Sequence, residues 1–195
     1  SYELNLGVKL NEATNFTILM PDMRGHGPQP LVQMTSFGGA ESDDVLAAVQ
    51  FLRSIKTQDH LQLIGQNVGV YGVELGALAA LEAAVKDKSL TSIALDSVPQ
   101  DSNALLASAV GRRYPFASFV TSQFAQLGTN LYYLDGSYTR STACESGRAI
   151  ADRRVMLLAG VDASDFQSST LRLSKCIQGS AAVETKLDLS PSGYS

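Results

Sequence analysis

The residues best placed to do chemistry lie in one short segment, Asn67-Val-Gly-Val-Tyr-Gly-Val-Glu-Leu-Gly-Ala77. Its apolar run, Val68–Tyr71, reads as a buried strand, and the Ala- and Leu-rich stretch Gly76–Val85 that follows reads as a well-buried helix. Between them, Gly72 and Gly76 each stand two residues from Glu74, a spacing that suits a sharp strand-to-helix turn with a strained central residue. Such a turn lifts the Glu74 carboxylate to the carboxyl edge of a sheet, above a helix N-terminus whose N–H groups and dipole favour an anion. Three roles are open to it: a tolerated anion stabilised by the helix, a receptor for a cationic or hydroxyl-bearing ligand, or a nucleophile that forms an ester intermediate. The nucleophile needs a His base to activate the water that resolves the ester. The chain holds only His26 and His60, and neither is placed to serve the turn. The tolerated anion is therefore the expected role.

The other polar clusters have structural explanations. Asp22 and Arg24, in Pro21-Asp-Met-Arg-Gly-His-Gly27, are expected to brace a loop after a strand. Glu41, Asp43 and Asp44 read as the acidic first turn of a helix, since metal binding would call for a nearby His or a defined loop. Arg112 and Arg113 could meet an anion but are expected on a solvated helix surface, and Tyr132 and Tyr133 in lid packing rather than a ligand box. Gly72-x-x-x-Gly76 is not a dinucleotide or phosphate fingerprint, so no cofactor is implied. Cys144 and Cys176 form neither a metal pattern nor a disulfide framework.

Several elements must position these residues. Phe16–Met20, Val68–Tyr71, Ser92–Leu95 and Val155–Ala159 read as buried strands, and Ala182–Leu189 as a half-exposed one. Glu41–Ile55, Gly76–Val85 and Ser168–Ile177 read as helices; at the start Tyr2, Leu4, Leu6, Val8 and Leu10 alternate like a strand, while Leu6–Asn15 reads equally as a helix. Strands alternating with helices imply an α/β fold, a mostly parallel sheet with helices on both faces. Residues 99–152 break that rhythm with helices expected near Ala104–Val110 and Phe116–Leu127; long insertions of this kind are often lids.

Composition narrows the function classes. The chain has 195 residues, 45% hydrophobic and 17% charged, with a net charge of −4. That is one domain's worth of chain, too apolar for disorder. With pI near 5.1 it lacks the basic balance of a general nucleic-acid binder. No apolar run is long enough for a membrane helix. A cytoplasmic location is the default expectation, with a small-molecule ligand or a protein as partner.

Three of the segments together resemble the α/β-hydrolase superfamily, in its serine peptidase-like and acyl-hydrolase branch. Gly72-x-Glu74-x-Gly76 is similar to the nucleophile elbow, written G-x-S-x-G; Pro21–Gly27 resembles the D-x-R-G-H-G turn; Phe37–Asp44 resembles an F-G-x-x-E-x-x-D stretch. The resemblance covers Phe16 to about Ser97 in the right order, with Ala94-Leu-Asp-Ser97 at the end of the Ser92–Leu95 strand also fitting, and continues weakly beyond. It implies a Ser–Asp–His triad, but the aligned positions are filled otherwise. Glu74 replaces Ser. After Val155–Ala159 the acid position falls on Ala163, with Asp162 one residue early. Tyr194 stands where His is expected. The residue after the nucleophile, Leu75, would supply one backbone N–H of an oxyanion hole.

Some members of the superfamily use an Asp nucleophile at the elbow. Glu is one methylene longer, and misplacement on that scale costs on the order of a hundredfold in rate. The resemblance also implies strands upstream of Phe16, so the sequence is expected to begin partway into such a domain; otherwise the Phe16 strand would pair directly beside Val68. The expected function is a binding or interaction module on a catalytically degenerate hydrolase scaffold. The competing expectations are an ester or acyl hydrolase using Glu74 or residues outside this chain, and a purely structural domain.

Overall fold

A computed structural model describes residues 2–27, 34–62, 64–65, 67–114, 118–132, 134, 141–161, 164–177 and 183–189. Four parallel strands, β1 (Gly69–Val73), β2 (Ser92–Asp96), β3 (Arg154–Gly160) and β4 (Val183–Leu189), form one sheet in the order β1-β2-β3-β4. The register sets Val73 beside Asp96 and Asp96 beside Leu158, so the carboxyl ends of the strands share one edge. The helices are α1 (Tyr2–Thr14), α2 (Glu41–Ser54), α3 (Leu75–Lys86), α4 (Ser102–Arg113), α5 (Ser118–Tyr132), α6 (Ala143–Ala149) and α7 (Ser164–Cys176).

The core follows from composition. Helix α3 is built from Ala and Leu, the strongest helix formers, and buries Ala77, Leu78, Ala79, Ala80, Leu81, Ala83 and Ala84. Its small side chains let it lie close to β1, β2 and α2 at once. Opposite it, Ile93 and Leu95 of β2 and Val155, Leu157 and Ala159 of β3 alternate inward. Burying one side chain such as Leu81 is worth about 1.5–3 kcal/mol. Helix α6 touches both α3 and α7 on this face. The opposite residues, among them Ala94, Asp96, Met156 and Leu158, are only half covered.

Phe16–Met20 is not a strand. It is irregular, with Phe16 and Met20 exposed, and it folds back on α1. Asn11 donates to the Phe16 carbonyl at 2.7 Å, and Met20 lies where a Cβ on Gly7 would be 2.8 Å from its sulfur. A short apolar run specifies a strand only if a sheet edge accepts it. Here none of the described strands does, and β1 pairs only with β2; pairing of the Phe16 segment beside Val68 is not realised. The ambiguous start resolves as helix α1.

The cysteines also depart from expectation, for Cys144 and Cys176 form a disulfide. Helix α6 packs on α7 so closely that a Cβ on Gly147 would lie 2.5 Å from Leu173. This brings the two cysteine Cα atoms to 5.4 Å, within bridging range. The sequence carried no sign of it, because the pair is 32 residues apart on separate helices.

Within the inserted region, α6 is part of the main body, in contact with α3 and α7, whereas α4 and α5 pack on each other. Helix α4 is tied down at its start. Asp101 caps it by accepting from Ala104 N, and Ser102 donates to the Phe37 carbonyl.

Candidate functional site

Glu74 sits at the junction of β1 and α3 with φ 46° and ψ −105°, a conformation that side-chain-bearing residues rarely adopt. The surrounding backbone over-determines it. The Glu74 N–H donates to the Asp96 carbonyl at 3.0 Å, and its own carbonyl accepts from Ala77 and Leu78 to open the helix. Gly72 is required by close approach, since a Cβ there would lie 2.1 Å from the Gly76 carbonyl oxygen. The sharp turn read from Gly72-x-Glu74-x-Gly76 is therefore present.

The Glu74 carboxylate accepts no capping bond from its own helix. Its partner is Arg112 of α4. Arg112 Nη1 donates to Oε1 at 3.3 Å and Nη2 to Oε2 at 3.1 Å. Arg112 is exposed on its helix, as expected, and also sets a fork against the carboxylate's two oxygens, the geometry Arg favours. The Glu74 side chain remains 35% exposed. Arg113 lies over the Tyr114 ring. Tyr132 is exposed rather than packed, and Tyr133 is outside the described residues.

Neither histidine serves the turn. His26 Nδ1 is 3.0 Å from the Arg24 carbonyl, within its own loop. His60 is exposed, in the Thr57–Leu61 turn that leads towards the amino end of β1, the end opposite Glu74. Asp162, Ala163 and Tyr194 lie outside the described residues. The parallel order does bring the ends of β3 and β4 to the same sheet edge as Glu74. Leu75 is the first residue of α3, where helix geometry leaves N–H groups without intrahelical partners.

One group at this edge escaped the sequence reading. Asp96, at the end of β2, accepts from the Tyr71 hydroxyl at 3.2 Å and from Ser97 Oγ at 2.8 Å. Ser97 is buried with φ 53°, its N–H bonded to the Leu158 carbonyl. An Asp closing an apolar strand was the available signal.

Behind the site, each acidic residue of α2 has its own partner. Glu41 is completely buried and accepts from Thr35 Oγ1, Ser36 N, Ser36 Oγ and Gly38 N. The loop it holds presses on α3: Gly38 has φ 105°, and a Cβ there would meet Leu78 Cβ at 2.8 Å. The same loop receives Ser102 of α4, so one knot supports the helices that carry Glu74 and Arg112. Asp43 pairs with Lys86 at 2.6 Å. Asp44 takes a two-pronged bond from Arg24, 2.9 Å and 2.7 Å, and the Arg24 N–H as well. The Arg24 side-chain bond holds the Asp44 carboxyl below its ordinary range and raises the Arg24 guanidinium. Among the described residues no group of His, Cys, Asp and Glu forms a metal site. A cavity of about 370 Å³ lies between Asn67, Thr91, Ser92, Asp152, Arg153 and Arg154, at the sheet edge away from Glu74.

Solved structures share this architecture. An α/β hydrolase from Penicillium sp. sh18, GrgF, matches 97% of this chain and 75% of its own at 13% identity, with a TM-score of 0.61. The esterase Pf2001 of Pyrococcus furiosus matches 87% of this chain at 20% identity, with a TM-score of 0.52. The fold is that of the α/β-hydrolases. The chain spans 60% of the length of the Pyrococcus esterase. No family model and no curated protein matches it. Glu74 stands at the turn between β1 and α3, and Arg112 reaches it from the segment between β2 and β3.

Proposed function

We propose that this chain is a binding module on an α/β-hydrolase fold, with no hydrolytic turnover of its own, and that its elbow presents a carboxylate to a cationic ligand. The observation that carries this reading is the Glu74–Arg112 pair. The strained elbow is retained, its side chain is an anion, and a guanidinium rather than an imidazole stands against it. A pair this exposed is worth about 1 kcal/mol or less, so a ligand bearing a guanidinium or ammonium group can take the place of Arg112. Helices α4 and α5, within the inserted region 99–152, would act as the lid, and residues 1–195 as one domain. The disulfide supports placing the protein in an oxidising compartment rather than in the cytoplasm, where thiols are kept reduced.

Two measurements test the reading. The purified chain should hydrolyse p-nitrophenyl acetate no faster than buffer, and Glu74→Gln should change nothing. Turnover abolished by Glu74→Gln would instead assign a hydrolase working through Glu74. Titration with agmatine, a simple alkylguanidinium, should show tighter binding to Arg112→Ala than to the unaltered chain and none to Glu74→Gln. Equal binding by all three would remove the ligand role.

A further inference from the structure

Helix α5 is built inside out. It packs against α4, yet its covered residues are small and polar: Ser122 is buried, and Ala125 and Thr129 are half-buried. Its large apolar residues face solvent, with Val120 56%, Phe124 71%, Leu127 58% and Leu131 60% exposed. Leu134, just past the helix, is 77% exposed. Amphipathic helices of globular proteins orient the other way, and an apolar stripe left in water marks an interaction surface.

The spacing says what the stripe fits. Within α5, Val120, Phe124, Leu127 and Leu131 are separated by four, three and four residues, the alternation that keeps one seam facing a partner helix. From Val120 to Leu131 the seam runs about 16 Å, three turns. A stripe of this kind is self-complementary under a two-fold axis. Ser118–Tyr132 contains no charged residue, so two copies meet without like-charge repulsion. Helices that lie on membranes carry Lys and Arg along the polar face, and α5 has none. We propose that the exposed face of α5 is a homodimer interface in which α5 pairs with α5 of a second copy. The side chains expose on the order of 500 Å², near the upper end for a monomer and below the roughly 800 Å² per partner of a standard interface. The dimer is therefore reversible and concentration-dependent. Because α5 packs on α4, which carries Arg112, such pairing would form beside the elbow without using Glu74.

Sedimentation velocity on the 195-residue chain tests this. The sedimentation coefficient should rise from monomer to dimer between about 1 μM and 1 mM. Phe124→Glu should raise the dissociation constant at least about 100-fold, whereas Phe124→Leu should hold it within about threefold. Far-UV circular dichroism should be unchanged in both, since residue 124 is exposed; if Phe124→Glu loses helix, Leu127→Asn gives the same comparison. A chain that stays monomeric throughout, or a Phe124→Glu variant that associates as tightly, overturns the proposal. A monomeric chain that floats with phosphatidylcholine vesicles, and ceases to in Phe124→Glu, overturns it too and gives the face to lipid.

Discussion

Glu41 and Glu74 both stand at helix starts, 33 residues apart in the chain and a loop's width apart in role. Glu41 is sealed from water, and four donors converge on its two oxygens. Glu74 is 35% exposed, and its carboxylate meets a guanidinium from another element. The same side chain is a structural knot in one place and an exchangeable contact in the other. What separates them is the number of donors that burial obliges each carboxylate to find. The knot fixes the frame, and the elbow, fixed in backbone but open in side chain, is where a ligand has room to act.

The hardest blow to that contrast is Glu41→Ala. It strands Ser36 N, Ser36 Oγ, Thr35 Oγ1 and Gly38 N in a buried place, and at 1–3 kcal/mol for each unsatisfied group kept from water it should cost about 4 kcal/mol in urea denaturation. A loss under about 1 kcal/mol would mean that the knot is decoration.

Next comes the disulfide staple between α6 and α7. Replacing Cys144 and Cys176 by Ser reopens a loop of 32 residues, a loss of about 3–4 kcal/mol by loop-closure entropy. Reduction of the unaltered chain with dithiothreitol should lower its melting temperature, and the double variant should be indifferent to reductant. This loss acts on α6 and α7, which share no bond with Glu41, so it should add to that of Glu41→Ala rather than overlap with it.

The Arg24–Asp44 brace falls between the two glutamates in burial and in effect. Asp44→Asn should cost roughly 2 kcal/mol at neutral pH. Since the folded Asp44 carboxyl titrates below its unfolded value, the stabilisation is fully present above the unfolded pKa of about 3.9 and is lost as pH falls through the lower folded value. Urea midpoints measured downward from neutral should therefore stay flat to about pH 4 and then drop. The drop should be shallower in Arg24→Gln.

The contrast between the glutamates was only half legible in the sequence. Gly72-x-Glu74-x-Gly76 announces its turn because sterics leave one way to build it. The α2 start, the alternation of β2 and β3 and the Ala-rich α3 were equally plain, since each is local. Nothing local pairs Arg112 with Glu74, 38 residues apart, or Cys144 with Cys176; those contacts exist only after α4 and α6 have docked. Phe16–Met20 misled for the same reason, as apolarity marks a strand but does not supply the edge it needs. In α5 periodicity shows an apolar stripe without showing which side of the helix meets the protein.

The smallest effect bears most directly on the comparison. Glu74 holds φ 46° with a Cβ that resists it, at a cost of order 1–3 kcal/mol. Glycine adopts such a conformation without that penalty but is harder to order, by about 0.5–1 kcal/mol. Glu74→Gly also gives up the Arg112 pair, worth about 0.5 kcal/mol at this exposure. These terms nearly cancel, so the variant should lie within about 1 kcal/mol of the unaltered chain and on the stable side of Glu74→Ala, which keeps a Cβ and loses the pair. At Glu41 no such relief exists, because the carboxylate's donors outweigh any backbone gain. A Glu74→Gly variant less stable than Glu74→Ala would show that the elbow carboxylate is as much a structural anchor as Glu41, and Arg112 would then be its fixed partner rather than a cation that a ligand can replace.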